Sequence, residues 1–535
     1  MSVVLRETAR TELARSMFRD IQNVYDYYYF GFGKVSAWAD EENPETPIDN
    51  DSYMADFRRN MLFVKRVNTT DVCLLARRID WVSGTTYDVY DNGYSSDNRA
   101  FSGANNLASA NFYVMTTNLN VYKCLNNNNN SPSTVEPTST GTTPFDLGDG
   151  YTWQFMFQVQ AADETKFLDS EYIPVRKVTG DPAFDVNGEL DAITIDTSGS
   201  DYTEAPSVTI VGDGTGATAT ATISGGSVDS VTITNSGSGY SFAIISFSGG
   251  QASPSDPVPT QATATATLGS LDTAPALQSA VEATAASTLG TVDRIVMSNT
   301  GQDYVTGDVT VNIRGDGTGA TGSAIVNVLN GAITGVTITN RGTGYTFAEV
   351  TFDQLTGPGT NAVARAVVSP PHGHGGHAPR ELFAKNLAVV SSVNGDEDPD
   401  FMLENDFRQI ALIKNLVDPS EAMFTSTSGQ SCYIANVSSS DAALLSPDDV
   451  LTTDANGRFI VSYVDDNNNV FLVPLVPLIS VSNVLITNDA TEISINTLTT
   501  PEIDSGSGRI IYLENRTNIV RSEEQVETVK AIFNF

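Results

Sequence analysis

The three histidines of the chain lie together, in a segment whose residue types could bind a metal. His372, His374 and His377 fall within SPPHGHGGHAPREL, residues 369–382, and the sequence holds no other histidine. On an extended backbone His372 and His374 would point to the same side, as ligands of one zinc ion do. Copies meeting on the axis of a symmetric oligomer could complete the coordination shell. The surrounding prolines and glycines favour an irregular linker, residues 369–380, so we expect no cofactor and keep the metal site as the alternative.

The sequence GDGTGA occurs twice, at 212–217 and 315–320, and resembles a phosphate-binding loop. A dinucleotide fingerprint continues into a helix, and a P-loop needs Gly-Lys followed by Ser or Thr. Strand-like sequence follows both copies, and no lysine occurs between residues 178 and 384. Both copies therefore predict tight turns. A calcium site at Asp213 or Asp316 is not expected, because calcium takes about six to eight oxygen ligands.

Catalytic arrangements are not apparent elsewhere in the sequence. Nucleophilic catalysis with a histidine base needs a positioned imidazole, but all three imidazoles share one Gly/Pro segment and no GxSxG motif occurs. The acidic run NGDEDPD, residues 394–400, lies beside a proline and is typical of a solvated loop rather than of paired glycosidase carboxylates. We predict no catalytic residues and no enzymatic activity.

Composition excludes several classes of partner. Among 535 residues, 64 acidic side chains face 29 basic ones, giving a net charge of −35. Nucleic acids and anionic membranes both require clustered Lys and Arg, so neither is expected as a partner. Three widely spaced cysteines give no disulfide framework, and neither a signal peptide nor an apolar run of about 18 residues is visible. We expect a soluble protein of several domains, made in a reducing cytoplasm.

The elements that must position these residues fall into an outer and an inner region. Apolar residues recur at helical spacing from Leu5 to Tyr28 and predict a helix over 3–29. Strand-like runs follow to about residue 177 and resume after 381. The two outer parts, 1–187 and 381–535, match in composition. They predict one mainly β host domain, a layered β-sandwich with an N-terminal helix, interrupted by an insertion.

The insertion, residues 188–368, contains an internal repeat. VDSVTITNSGSGYSFAIISF at 228–247 is echoed by ITGVTITNRGTGYTFAEVTF at 333–352. Gly, Thr, Ala and Ser dominate, and alternating Ala/Thr runs place small side chains on one face of a strand. The repeat predicts two all-β modules, at about 188–268 and 291–368.

Four tyrosines recur at matched positions of the repeat, Tyr202, Tyr240, Tyr304 and Tyr345. The favoured interpretation is that each ring fills the end of a small β layer and holds its turn. The alternative is a row of exposed rings that stack on a glycan.

Ordered segments of the host domain resemble the baseplate wedge subunit family of T4-like contractile-tailed phages, the wedge protein numbered eight in the tail gene series. The resemblance covers roughly residues 1–177 and 381–535 and breaks across the insertion. The segments are FGKVSAW (32–38), RRIDW (77–81), VYKCL (121–125), GDGYTWQFMFQV (148–159), FRQIALIKNL (407–416) and SGSGRIIYLENRTNIVRSEEQVETVKAIFNF (505–535).

The resemblance implies a layered β fold, a homodimer, and a structural role in the virion, in the tail baseplate. The implied partners are other wedge subunits and fibre-attachment proteins, and the protein would be made in the host cytoplasm. An obligate dimer interface should bury on the order of 2,000 Å² or more. The alternatives are a receptor- or glycan-binding tail protein that uses the inserted modules, and a polysaccharide-degrading tail enzyme.

Two of the resembling segments supply candidate contact residues. In RRIDW, an internal ion pair of Arg77 or Arg78 with Asp80, beside a buried Trp81, is the favoured interpretation, and a direct contact between subunits is the alternative. In the C-terminal segment, charged side chains of a central strand could pair with chain partners. The candidates are Arg77, Arg78, Asp80, Trp81, Glu514 and Arg516.

Overall fold

Antiparallel sheets dominate the structure, and the protein is mainly β, as predicted. The fold is organised in layers, with helices that are few and short. None of the helices within the described residues is long and apolar enough to cross a membrane. The computed structural model describes residues 5–22, 26–34, 36–177, 187–212, 215–238, 240, 243–270, 276–394, 407–447, 449–453, 457–475, 484–519 and 526–535.

The N-terminal part of the host domain begins with one helix and continues mostly as strands. Its elements are α1 (Glu7–Ile21), β1 (Tyr28–Gly33), α2 (Asp51–Asn60), β2 (Met61–Arg66), β3 (Val72–Arg77), β4 (Tyr113–Met115), β5 (Asn120–Asn127), β6 (Phe145–Asp146), β7 (Tyr151–Gln158), α3 (Ala161–Phe167) and β8 (Tyr172–Val175).

The predicted helix over 3–29 is wrong in its last turns. Helix α1 ends at Ile21, and the aromatic run that follows forms β1, all of whose residues are buried. Bulky aromatic side chains fit a strand covered on both faces, and the apparent helical spacing through Tyr28 was coincidental. The buried face of α1 also differs from the expected one: Phe18 is buried, whereas Leu13 is 48% exposed.

The first module is a pair of packed sheets. Its strands are β9 (Asn187–Thr197), β10 (Ser207–Gly212), β11 (Thr215–Ser224), β12 (Ser227–Ser238), β13 (Ala243–Ser248) and β14 (Thr263–Ser270). A four-stranded sheet in the order β10-β13-β14-β9 lies against the hairpin β11-β12, and tyrosines, alanines and aliphatic side chains fill the space between them.

The second module repeats this plan, with the sheet order β15-β20-β19-β16 and a second hairpin, β17-β18. A helix between the modules packs on the host domain, where Val281 joins the core around Trp153. The elements are α4 (Ala276–Ala285), β15 (Val292–Gln302), β16 (Val309–Gly315), β17 (Thr318–Val326), β18 (Ile333–Thr343), β19 (Ala348–Gln354) and β20 (Thr360–Val368).

The C-terminal part returns to the host domain through a short helix. Its elements are α5 (Ala378–Glu381), β21 (Asn386–Asn394), β22 (Phe407–Lys414), β23 (Ser428–Gln430), β24 (Tyr433–Asn436), α6 (Ser439–Ala442), β25 (Val450–Thr452), β26 (Arg458–Val464), β27 (Asn469–Pro474), β28 (Val484–Ile486), β29 (Glu492–Ser494), β30 (Thr497–Thr499), β31 (Arg509–Ile519) and β32 (Val526–Asn534).

Two host sheets mix strands from both ends of the chain. One has the order β23-β2-β1-β22-β31, and another has the order β32-β21-β3-β8. A third sheet, β4-β5-β7-β6, belongs to the N-terminal part alone. The two outer parts therefore share one folded unit, and the modules leave and re-enter it between β8 and β21.

A seven-stranded sheet within the C-terminal part was not foreseen as a separate layer. Its order is β29-β28-β25-β26-β27-β24-β30, and it has its own buried cluster that includes Leu451, Phe459 and Leu472. Several of its strands have only three residues, so their alternation in sequence is too short to stand out.

Candidate functional site

The most distinctive cluster of charged and aromatic side chains lies where the second module meets the host domain. Here α1, the loop around Tyr90 and the histidine segment line a half-open pocket of about 590 Å³. Its walls combine apolar side chains with a few ionisable groups, as small-molecule sites often do. Residues that line it include Thr11, Glu12, Tyr90, Pro371, His372 and Arg380.

The histidine segment connects the second module to the host domain, as the irregular linker predicted over 369–380 would, but most of it is buried and forms a packed corner. Residues 373–379 are all buried, and successive turns lead directly into α5. Gly375 has φ of 86°, and a Cβ there would lie 2.4 Å from a methyl group of Val281. Only glycine fits this close approach to α4. The glycines thus serve compact folding of the corner, which joins the second module to the host domain.

A buried ion pair holds this corner in place. Lys123, in the middle of β5, contacts the Glu381 carboxylate, and the two side chains are 0% and 3% exposed. The same carboxylate accepts hydrogen bonds from the backbone N–H groups of Gly375 at 3.1 Å and His377 at 3.0 Å. Burial alone would raise the pKa of Glu381, but the charge and hydrogen bonds it receives, chiefly from Lys123, lower it. Glu381 is therefore an ionised structural anchor.

His372 and His374 bind different partners. His374 donates its Nε2–H to Asp293 at 2.7 Å and packs edge-on against Tyr90, with ring centroids 5.2 Å apart. Arg380 donates to Nε2 of His372 at 2.6 Å and also pairs with Glu12 at 2.7 Å. Burial lowers the pKa of His372, so its ring is neutral and accepts this hydrogen bond.

His377 caps the short helix that follows it, and its Nδ1 accepts the backbone N–H of Arg380 at 3.3 Å. Its ring lies 5.1 Å from that of His372, centroid to centroid. Across the residues that the structure describes, no group of three or more His, Cys, Asp or Glu side chains is placed to hold a metal ion. A metal shared between copies of the chain stays the alternative to the expected absence of a cofactor.

A second buried carboxylate joins the module to the host. The side chain of Asp91 is 3% exposed. Its carboxylate accepts hydrogen bonds from Arg365 of β20 at 2.7 Å and from Arg294 of the paired strand β15 at 3.2 Å. Burial opposes ionisation of Asp91, but the hydrogen bond and charge of Arg365, with help from Arg294, lower its pKa. Arg294 also donates to the carbonyl of Leu125 at 3.1 Å. Two arginines of the insertion thus clamp one host residue.

The chemistry of the cluster is that of paired charges. Cys124 neighbours Lys123 on β5, but burial raises the pKa of its thiol far above neutrality, which leaves it unreactive. Asp293 also faces Arg341 at 3.2 Å. Burial opposes the ionisation of Asp293, yet His374 and the nearby cations lower its pKa. Lys123, Glu381, Asp91 and Asp293 each lie beside an opposite charge in this cluster.

The sequence did not single out the residues of this cluster other than the histidines. Lys123 gave one usable signal, since a lone lysine inside the apolar strand VYKCL must have a buried partner. Arg294 and Arg365 gave another, because they are cations in a repeat that has no lysine. Their partners lie far away in the chain and could not be identified from spacing.

The contact candidates of the host domain have internal partners. Arg78 pairs with Asp80 at 2.9 Å, which confirms the favoured ion pair in RRIDW. Arg77 instead donates to the carbonyl of Ala110 at 3.0 Å. The expectation of a buried Trp81 is wrong: the side chain is half-buried, and its Nε1–H donates to Ser133 at 3.1 Å. In β31, Glu514 and Arg516 approach to 3.6 Å, and the Glu514 carboxylate also accepts the Tyr512 hydroxyl at 2.6 Å.

The four repeat tyrosines fill the module ends, as the favoured interpretation predicted. All are buried, with at most 6% of each side chain exposed, so their faces cannot stack on a glycan. Each hydroxyl accepts a backbone N–H: Ala262 to Tyr202 at 2.7 Å, Ala217 to Tyr240 at 3.2 Å, Ala362 to Tyr304 at 3.4 Å and Ala320 to Tyr345 at 3.3 Å.

The second GDGTGA copy is a tight turn between β16 and β17, as predicted. Its Asp316 carboxylate accepts the hydroxyl and N–H of Thr346 and the N–H of Phe347, and these bonds lower the pKa of Asp316 to about 2. Both oxygens therefore bind the turn between β18 and β19, which explains the aspartate without a cation. Asp213 and residues 395–400 of the acidic run lie outside the described residues.

Two comparisons with known proteins gave no relative. No protein-family model matches the chain, and no curated protein matches it. The function must therefore be argued from the residues and their geometry.

Proposed function

We propose that this protein is a structural component of a contractile-tail phage baseplate wedge. It forms a homodimer, joins neighbouring wedge subunits, holds their geometry during assembly and infection, and catalyses no reaction. In this proposal it resides in the virion, in the tail baseplate, and is made in the host cytoplasm.

The observation that carries the proposal is the way the resembling segments fit together. FGKVSAW begins in β1, FRQIALIKNL is β22, and the C-terminal segment supplies β31; β22 pairs with both of the others. The indole N–H of Trp38 donates to the carbonyl of Arg516 at 2.8 Å. Residues nearly five hundred positions apart are thus direct neighbours. This is expected if the ordered set of segments is inherited as one scaffold.

The remaining segments form a connected layer. VYKCL and GDGYTWQFMFQV pair as β5 and β7, and Trp153 stacks on Tyr151 with ring centroids 5.5 Å apart. RRIDW begins at the end of β3, which pairs with β21 of the C-terminal part. Interleaving of this kind makes a stiff body with few independent parts, which suits a protein that transmits geometry between neighbours.

Charge placement agrees with a scaffold role. The buried charges of the host–module junction pair with one another, so they stabilise the assembly of the chain instead of facing a substrate. A net charge of −35 then remains for the surface, where it favours contact with basic neighbours.

Sedimentation velocity and labelling of virions test the proposal together. We expect the purified chain at micromolar concentration to sediment at twice the 57.0 kDa of one chain. We expect gold-labelled antibodies against the chain to decorate the tail end of particles from the source phage.

A monomer at micromolar concentration, together with unlabelled particles, contradicts the proposal. Retention of the intact chain on a glycan array, with no labelling of tails, would favour the receptor-binding alternative instead.

A further inference from the structure

The far end of the second module presents an unusual group of exposed apolar side chains. We call this group the distal tip: Val305, Val328, Leu329 and Leu355, which are 51%, 82%, 92% and 79% exposed. Scattered apolar residues on a surface need no explanation, but a contiguous set marks an interaction site.

The four side chains belong to three turns that adjoin. The N–H of Tyr304 bonds to the carbonyl of Gly331 at 2.9 Å, which joins the Val305 turn to the turn that holds Val328 and Leu329. The N–H of Leu355 bonds to the carbonyl of Asp308 at 3.4 Å, which joins the third turn. The apolar side chains therefore share one end of the module.

That end points away from the host domain. Strand β15 begins at Val292, beside the histidine corner, and ends at Gln302, next to the tip. Strand β20 returns antiparallel, with Thr360 opposite Gln302 and Val368 opposite Val292. At about 3.3 Å per residue, strands of this length hold the tip some 30 Å from the junction. The double clamp on Asp91 fixes the base of this projection.

The turn that carries Val328 and Leu329 is ordered by its own hydrogen bonds. The N–H of Asn327 bonds to the carbonyl of Ala332, and that of Gly331 to the carbonyl of Asn327, both at 2.8 Å. The N–H of Leu329 bonds to the side-chain oxygen of Asn327 at 2.9 Å. A preorganised turn loses little conformational entropy on binding, so its exposed side chains suit a role as anchors.

The first module provides an internal comparison. Its turn at the same position is Gly225–Gly226, and the N–H of Tyr202 bonds to the carbonyl of Gly226 as that of Tyr304 does to Gly331. Thr203 stands where the second module has Val305. The repeat therefore folds without the apolar pair, and the stability of the module does not account for Val328 and Leu329.

Charge at the tip points to the chemistry of a partner. Asp303 and Asp308 flank the apolar side chains, whereas the four arginines of the module lie toward its other end or engage the host. Arg294 and Arg365 bind Asp91, and Arg341 binds Asp293. An apolar surface edged by carboxylates disfavours an anionic membrane and favours a protein with basic residues around an apolar recess.

We propose that the distal tip docks into an apolar groove, rimmed by Lys or Arg, on a different protein. Val328 and Leu329 enter the groove, and Asp303 and Asp308 face its basic rim. A second copy of this chain is disfavoured as the occupant, because two tips would bring like charges together. The proposal stands on the module alone and does not rest on the baseplate assignment.

Site-specific photo-crosslinking tests this docking in the cells where the chain is naturally made. A benzophenone amino acid replaces Leu329 in the full-length protein, and the same replacement at Val258, which is 81% exposed on the first module, is the control. We expect crosslinks from position 329 to one segment of one other protein, with apolar residues at the crosslink and Lys or Arg beside it.

The crosslinked protein is then purified, and its affinity for the intact chain is measured. Leu329→Asp should weaken binding by about 30-fold or more, as loss of an interface anchor does, and Val258→Asp should leave it unchanged. Both positions are solvent-exposed, so neither change should disturb folding, and circular dichroism checks this. Crosslinks to lipid, to another copy of the chain or to nothing would overturn the proposal, as would equal losses in the two variants. A partner that is not a tail protein would refute the baseplate assignment and leave the docking surface intact.

Discussion

Removal of the Lys123 ammonium is the sharpest perturbation of the host–module junction. Lys123→Met keeps most of the side-chain volume but leaves the carboxylate of Glu381 without its cation, in a place where the side chain is 3% exposed. Breaking a buried ion pair from one side costs about 3–5 kcal/mol. A domain is stable by only about 5–15 kcal/mol, so the loss should be a large part of the total.

A matched control separates burial from mere charge loss. Lys166 pairs with Asp71 at 2.6 Å, but its side chain is 38% exposed, so Lys166→Met should cost no more than about 1 kcal/mol. The double variant Lys123→Met/Glu381→Gln removes both charges and should be less destabilised than the sum of the single variants.

Urea unfolding followed by tryptophan fluorescence measures these differences. Trp153, one of three tryptophans, is fully buried on β7, which pairs with the strand of Lys123, so its share of the emission reports on this layer. Equal midpoints for Lys123→Met and Lys166→Met would refute the reasoning, because they would mean that burial does not amplify the charge. Additive losses in the double variant would show that the two side chains do not act as a pair.

Further predictions concern the attachment of the second module and its internal packing. Asp91→Asn should lower the free energy of unfolding by about 1.5–3 kcal/mol for each charged hydrogen bond lost. Amide hydrogen exchange should become faster in β15 and β20, while exchange in β9 and β14 of the first module stays unchanged. The pKa of Asp293 is lowered by His374 and Arg341, so its stabilising effect is complete above about pH 4 and is lost as the pH falls through the folded-state value. The difference in unfolding free energy between the native chain and Asp293→Asn should therefore shrink as the pH falls from about 5 toward about 3; a difference that grows over that range would contradict this. Tyr304→Ala should lower the free energy of unfolding of the second module by about 3–5 kcal/mol, and Tyr304→Phe should lower it by less than about 1.5 kcal/mol. The reason is that the packing of the ring outweighs its one long hydrogen bond. Equal losses for the two variants in calorimetry would contradict this.

Patterns that repeat along the chain were the most predictable. The duplicated Gly-Tyr segments identify two similar β modules, since each copy supplies the same turn and the same buried ring. The turn was equally clear at Asp316, because strand-like sequence follows the GDGTGA glycines. In both cases the decisive interactions join residues of the same module.

Features that depend on distant partners were not predictable. The aromatic run Tyr28–Gly33 continues a helical spacing, and only its pairing with β2 and β22 makes it a strand. The histidine segment has the composition of a linker, yet contacts with Val281 and Lys123 from other parts of the chain bury it. Composition records local preferences, whereas burial depends on what the rest of the fold brings nearby.

Cryo-electron microscopy of intact contractile tails tests the proposed baseplate role most directly. We expect density for paired copies of the host domain within each baseplate wedge, with the second module projecting and its tip seated against another protein. A baseplate map in which this fold is absent from every wedge would contradict the account.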